Sequence, residues 1–345
     1  MTHERTSNRA GILFPALFVW ALAVSSAAAS PLVIAHRGAS GYLPEHTLAA
    51  KAMAHAMGAD YLEQDVVLTR DGEPIVLHDV YLEATTDVEQ RFPDRARADG
   101  RFYAIDFTLA EVRQLSVHER TTSGEAGASA VYPRRFPVQS GTFTVPTLEE
   151  EIRFIAGMDR SRGTHTGLYI ELKAPRLHQA AGHDMPRAIL DVLERTGYAD
   201  RKDQVFLQCF DDQTLRALRE DYKTPLPLIQ LIGENDWGED SAVDYDYLRS
   251  EAGLDYIASY AQGIGPWLMQ IYRGRDESGA AITSDLVARA QARGLAVHPY
   301  TFRADQLPEG FSDFDSLLAL FLDELKVDGL FTDFPDLARR FIDGH

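Results

Sequence analysis

Seven apolar runs in this chain carry polar residues near their C-terminal ends. These are His36 and Arg37, Glu63 and Asp65, His78 and Asp79, Glu171 and Lys173, Gln208 and Asp211, His298 and Tyr300, and Thr332 and Asp333. Burying a lone charge is costly, so a strand that carries one normally turns it to water. Recurrence at comparable positions points instead to one shared site. Glu63 and Asp65 are two apart in an extended segment and therefore share a face. Two carboxylates that close raise each other's pKa unless a cation lies between them. Glu171, from another run, supplies a third oxygen ligand. Three carboxylates with no cysteine suit a hard ion, Mg2+ or Ca2+, better than zinc. Lys173 shares a face with Glu171 and stands near that cation; a phosphate bridging the ion, Lys173 and Arg37 would reconcile the charges. A plain salt bridge from Lys173 to Glu171 is the alternative. Arginine grips phosphate with two hydrogen bonds, lysine as a point charge. His36 and His78 are the proton-transfer pair, since imidazole titrates near neutrality.

The remaining polar residues fit supporting roles. Glu45, after Pro44 at a helix start, is an acceptor that orients the site. Gln208, His298 and Tyr300 are expected to line the pocket. Gly38 and Gly41 allow a sharp turn that brings backbone N–H groups towards an anion. Asp333 either caps the final helix or joins the chemistry. His46, His55, His118 and His165 read as loop or helix-face residues. The chain has no G-x-x-x-x-G-K-[ST], no G-x-S-x-G and no cysteine-rich metal framework.

These residues need elements to position them. Strand candidates are 32–36, 61–69, 74–79, 167–174, 204–211, 227–232, 295–301 and 329–334. Helical patterns lie between many of them. Thr47, Thr147 and Ser284 are placed to cap three, and Gly58 and Gly294 to end two. Strands alternating with helices predict a parallel α/β fold, and eight suit a (β/α)8 TIM barrel whose C-terminal strand ends meet at one mouth. Residues 255–265 could supply a ninth strand, and a hairpin over 61–79 would remove one. Residues 80–146, rich in charge, Tyr, Pro and Gly, break the rhythm. They read as a segment inserted after the third strand, with a flexible tip at 121–130.

The N-terminus carries Arg5 and Arg9, then the apolar run Gly11–Val24, then "SSAAAS". That order predicts a signal peptide over residues 1–29, cut after Ala29, and a single catalytic domain over 30–345 in the periplasm. The apolar run is shorter than the roughly 20 residues a spanning helix needs, so no stable membrane insertion is expected. Without residues 1–29, which hold two basic residues and one acidic one, the formal net charge moves from −18 to −19. Such a surface repels nucleic acid, and an anionic substrate needs a local basic pocket or a cation. The single cysteine, Cys209, cannot form an internal disulfide and reads as a buried small hydrophobe.

Taken in order, "AHRGASGYLPEHT", "YLEQDVVLTRDGEPIVLHD", "IELKAP", "LQCFD", "VHPYTFR" and "GLFTDFPD" resemble the glycerophosphodiester phosphodiesterase family, most of all its periplasmic branch. The resemblance runs from Leu32 to the C-terminus. It implies a TIM barrel that hydrolyses small-molecule glycerophosphodiesters, such as glycerophosphocholine and glycerophosphoethanolamine, to sn-glycerol 3-phosphate and an alcohol. It also implies a divalent metal, Ca2+ favoured, held by Glu63, Asp65 and Glu171, with His36 and His78 as acid and base. Arg37 and Lys173 would contact phosphate, and a cyclic phosphate could form on the way. Phe102, Tyr103 and Phe143 of the insertion are expected at the head-group end. Two rivals stand beside this reading. A phospholipase C- or D-like barrel acting on intact lipids would need an exposed apolar rim. A non-catalytic surface-binding protein on the same fold would lack one of His36, Glu63, Asp65, His78 or Glu171, and all five are present.

Overall fold

The computed structural model describes residues 1–2, 30–122, 129–138, 140–237 and 242–344. Residues 3–29, on which the signal-peptide reading rests, and most of the proposed insertion tip lie outside them. Within Pro31–His345, eight parallel strands alternate with helices. The strands are β1 (Leu32–Ala35), β2 (Tyr61–Leu68), β3 (Gly167–Leu172), β4 (Val205–Cys209), β5 (Leu228–Ile232), β6 (Gly263–Pro266), β7 (Ala296–Val297) and β8 (Gly329–Thr332). They pair β7-β6-β5-β4-β3-β2-β1-β8. Between β7 and β8, Asp328 N donates to Val297 O and Phe331 N to Pro299 O, both at 3.1 Å. The sheet therefore closes on itself as a TIM barrel.

The ambiguous strand count resolves through two particulars. Pro74–Val76 pairs antiparallel with β2 (Val66 opposite Val76, Leu68 opposite Pro74) and is a hairpin return, not a barrel stave. The insertion thus follows the third strand in chain order but the second strand of the barrel. In its place, the stretch read as a ninth candidate splits: Glu251–Ala258 is helical, and the stave β6 begins at Gly263. A strand reading G-I-G-P has weak β-propensity, so the sequence does not locate its start within 255–265.

The helices follow their capping chemistry. Thr47 accepts from Ala50 N at the start of α1 (Leu48–Ala56), so the helix begins there and not at Pro44. Thr147 and Glu150 form a reciprocal capping box for α2 (Leu148–Arg162), and Gly163 ends it in the left-handed conformation. Ser284 does not cap. The helix Leu286–Gln291 follows Asp285, and the Ser284 hydroxyl donates to Gln270 O at 2.8 Å.

Inside the barrel, side chains alternate in layers. Ile34, Tyr61, Tyr169, Ile229 and Phe331 form an apolar floor. Because strand side chains repeat every two residues, the next inward positions are His36, Glu63, Glu171, Leu231 and Asp333, one layer nearer the mouth. Outside, the residues between staves and helices make the main core, each fully buried Leu, Ile or Val contributing about 1.5–3 kcal/mol. The insertion has a smaller core of its own, built on Val67, Ile75, Leu82, Phe102, Phe107 and Val117.

Candidate active site

A cavity of about 290 Å³ opens above the apolar floor, lined by His36, Arg37, Glu63, Asp65, His78, Glu171, Lys173, Gln208 and Tyr300 among others. Register explains the gathering. Asp65 lies opposite Glu171, and Glu171 opposite Gln208, so three adjacent staves present one row of polar side chains. The hairpin supplies His78. Leu77 N donates to Asp65 O at 2.9 Å, which brings the next residue back over the end of β2.

Each imidazole is tied to a carboxylate. His36 Nδ1 lies 2.6 Å from Asp333 Oδ1, and His78 Nδ1 lies 2.5 Å from Asp79 Oδ1. Burial, helped by Arg37, pushes His36 down to about 4; burial, then Arg37 and Lys173, pushes His78 down to about 3. Both rings are therefore neutral near pH 7, with Nδ1–H donating to its carboxylate and Nε2 left as the acceptor. Burial alone would raise the Asp333 carboxyl, but Arg303, His36 and Arg135 outweigh it and hold it well below the usual range. Asp333 is no helix cap, since Phe334 occupies that position.

The three carboxylates crowd together. Burial and then Asp65 push Glu63 well above the ordinary carboxyl range; burial likewise raises Glu171, against the pull of Lys173. Asp65 goes the other way. Its burial is outweighed by His78 and by the hydrogen bond from His46. One atom from each of His46, Glu63 and Asp65 falls within 4.8 Å of the others, and Asp65 Oδ1 is buried with no hydrogen-bond donor among the described residues. This His/Glu/Asp group is compatible with a divalent cation, and its oxygen-rich character fits a hard one. Glu171 lies on the flank of the group, where Lys173 Nζ reaches Glu171 Oε1 at 2.9 Å and His78 Nε2 at 3.4 Å.

Arg37 adopts a left-handed φ of 59°. Its backbone N–H donates to Glu63 Oε2 at 2.6 Å and its guanidinium to Glu45 Oε1 at 3.1 Å. The turn after it requires glycine. Gly38 has φ +89°, and a Cβ at Gly41 would fall 2.5 Å from the Phe334 ring. Their N–H groups, however, are spent on Ala35 O and Asp333 O, so they do not face an anion.

Several expectations need correction. His298 is buried one layer too deep: two residues before Tyr300 on the same face, it bonds Tyr169 Oη at 2.9 Å within the floor. Tyr300 does reach the cavity, its hydroxyl donating to Ile232 O. Phe102 belongs to the core of the insertion, Tyr103 packs on Tyr81, and Phe143 packs on Phe136. The aromatic side of the cavity is instead Phe210, Trp237 and Trp267, the two indoles 5.3 Å apart. His46 reads in the sequence as a loop or helix-face residue. It is buried, has φ 59°, and its Nε2 lies 2.7 Å from Asp65 Oδ2. Arg303 also lines the cavity and donates to Asp333 at 2.8 Å. Nothing periodic marks either residue.

The family model for the glycerophosphoryl diester phosphodiesterase family matches residues 36–337. A glycerophosphodiester phosphodiesterase of Haemophilus influenzae is 40% identical over 91% of this chain and 90% of its own length. One of Treponema pallidum is 36% identical over 94% and 95%. The solved structure of a candidate glycerophosphoryl diester phosphodiesterase from Silicibacter pomeroyi DSS-3 has a TM-score of 0.68 at 28% identity, covering 92% of this chain and 94% of that one. An Oleispira antarctica phosphodiesterase, solved with the product sn-glycerol-3-phosphate, shares the fold with a TM-score of 0.59 at 23% identity, over 91% and 97%. With closed barrel, convergent cavity and matched length together, this chain belongs to the glycerophosphoryl diester phosphodiesterase family and is an enzyme of that kind, a phosphoric diester hydrolase.

Proposed function

We propose that the enzyme hydrolyses small glycerophosphodiesters, glycerophosphocholine and glycerophosphoethanolamine among them, to sn-glycerol 3-phosphate and an alcohol by histidine acid/base catalysis with a divalent cation. The observation that carries this reading is the pair of carboxylate-bound imidazoles bordering the same cavity as Arg37 and Lys173. Arg37 and Lys173 bind and orient the phosphodiester anion. One imidazole accepts a proton at Nε2 from the attacking hydroxyl or water. The other, protonated once an anion offsets the neighbouring cations, returns a proton to the leaving alkoxide. Asp333 and Asp79 keep each Nδ1–H in place, so Nε2 is the atom that exchanges protons. Glu63 and Asp65, flanked by Glu171 and by His46, would hold the cation, with Ca2+ favoured and Mg2+ possible. When bound, that ion offsets negative charge developing on the phosphoryl oxygens.

The reading includes export to the periplasm and removal of residues 1–29, supported by the N-terminal order of basic, apolar and small residues. N-terminal sequencing of periplasmic material checks it: a mature chain beginning at Ser30 is expected, and retention in the cytoplasm overturns it. No described helix is long and apolar enough to cross a membrane.

The central test is turnover on a panel of glycerophosphodiesters after chelation, then with Ca2+ or Mg2+ restored. Release of sn-glycerol 3-phosphate that depends on the added ion supports the proposal. Full turnover in chelator, or in His36→Ala or His78→Ala, defeats it.

A further inference from the structure

The two imidazole–carboxylate pairs have a common feature outside the barrel. Asp79 accepts from Arg120 Nη1 at 2.6 Å, and Asp333 accepts from Arg135 Nη2 at 2.7 Å. Both arginines belong to the insertion, on either side of the short ladder that pairs Thr121 with Ala130. Neither is a loose surface contact. The Arg135 side chain is 4% exposed and that of Arg120 17%. Arg120 also grips both oxygens of Glu45, at 2.9 and 2.7 Å, and Glu45 in turn holds Arg37. Arg135 also grips both oxygens of Asp305, at 2.8 and 3.0 Å, and reaches Ser40 O at 3.3 Å.

We infer that Arg120 and Arg135 of the insertion are positioning residues for catalysis, each fixing from outside the barrel the carboxylate that orients one of the two imidazoles. The inference rests on the acid/base reading of His36 and His78. The physical reason is geometric. A planar guanidinium that bridges two carboxylates fixes the distance and tilt of both, which a flexible ammonium does not. Among the described residues, Arg120 is the one guanidinium hydrogen-bonded to Asp79, so the setting of that carboxylate depends on it. Asp333 keeps Arg303 when Arg135 is lost. The insertion therefore completes both proton-transfer units, and Arg120 additionally steadies the phosphate-binding Arg37 through Glu45.

The experiment compares Arg120→Gln, Arg135→Gln and the control Arg97→Gln, whose partner Asp106 lies within the insertion. Loss of an outer-shell partner of this kind costs about 10–100-fold in activity. That loss is expected in kcat for Arg120→Gln and Arg135→Gln, larger for Arg120→Gln, with Arg97→Gln unchanged. Two further readouts separate positioning from general destabilisation. In protein carrying 15N-labelled histidine, the Nδ1–H resonance of His78 should move in Arg120→Gln and that of His36 in Arg135→Gln, and neither in Arg97→Gln. The double variant Arg135→Gln/Asp333→Asn should be no slower than Asp333→Asn alone, because one route is being broken twice. If a glutamine variant does not fold, Arg120→Lys and Arg135→Lys keep the charge without the bridge and should still lose kcat. Native kcat with unmoved resonances, or strictly additive losses, overturns the inference. Displaced resonances in an enzyme that tolerates His36→Ala and His78→Ala would leave the positioning intact and refute the acid/base reading instead.

Discussion

Replacing Asp333 by Asn keeps the shape of the side chain and removes its charge. The carboxylate is buried and receives three donors, His36 Nδ1 at 2.6 Å, Arg135 Nη2 at 2.7 Å and Arg303 Nε at 2.8 Å. An amide offers one acceptor oxygen and two donor hydrogens, so one side must now face a donor. If the NH2 faces His36, the ring must carry its proton on Nε2, which removes the lone pair from the cavity. If it faces the arginines, two guanidinium N–H groups lose their acceptor. Removing one partner of a buried charge pair costs about 3–5 kcal/mol. Typical domains have about 5–15 kcal/mol, so the variant should fold with a lowered melting temperature. Turnover should fall by about 10²–10⁴, the usual worth of general acid–base catalysis. KM should change little, because Asp333 touches the imidazole and not the substrate. The assay is steady-state release of sn-glycerol 3-phosphate from glycerophosphocholine, beside a thermal melt of the same preparation. A folded variant with native kcat would refute the claim that this carboxylate sets the tautomer of His36. A raised KM at unchanged kcat would refute it too.

Three other outcomes follow from the same geometry. Ca2+ at about a hundredfold above its Kd should stabilise the chelated protein by about 2.7 kcal/mol, and Asp65→Asn should abolish that shift in a thermal melt; a shift that survives Asp65→Asn excludes this group as the ion's site. Lys51, fully buried, pairs with Glu151 at 2.8 Å and donates to the backbone carbonyl of Glu63. Lys51→Met should therefore cost about 3–5 kcal/mol in denaturant unfolding, and adding Glu151→Leu should recover part of it. Burial holds His298 down to about 4, below its ordinary value of 6.5. The unfolded chain thus takes up the proton first as pH falls. The contribution of this ring to stability is complete above pH 6.5 and is lost on the way down to pH 4, amounting to about 3 kcal/mol. A His298→Gln protein should show a correspondingly shallower loss of unfolding free energy over that range; an unchanged slope would contradict the buried, neutral ring.

How much was legible before any coordinates depends on the range of the interaction. Alternation of apolar runs with capped helices is local, so the barrel, the layer of Glu63, Asp65 and Glu171, and the caps Thr47 and Thr147 follow from chain order and side-chain periodicity alone. Local rules failed where two conformations had similar local support. Pro74–Val76 fits both a stave and a hairpin return in the sequence, and the glycine-rich β6 shows only as the tail of the ninth-strand candidate 255–265, because pairing partners distant in sequence decide both. His298 and Tyr300 share a face, yet only the stagger of the staves tells which is floor and which is mouth. His46, Arg120, Arg135 and Arg303 lie in irregular segments with no period to betray a direction. Their partners are 19, 41, 198 and 30 residues away, and charge pairing over such separations is settled by the closed barrel. The order of residue types thus determined which groups could do the chemistry. Tertiary structure alone decided which carboxylate each imidazole leans on, because a hydrogen bond needs its two atoms within about 3 Å and no sequence spacing fixes that distance across a barrel.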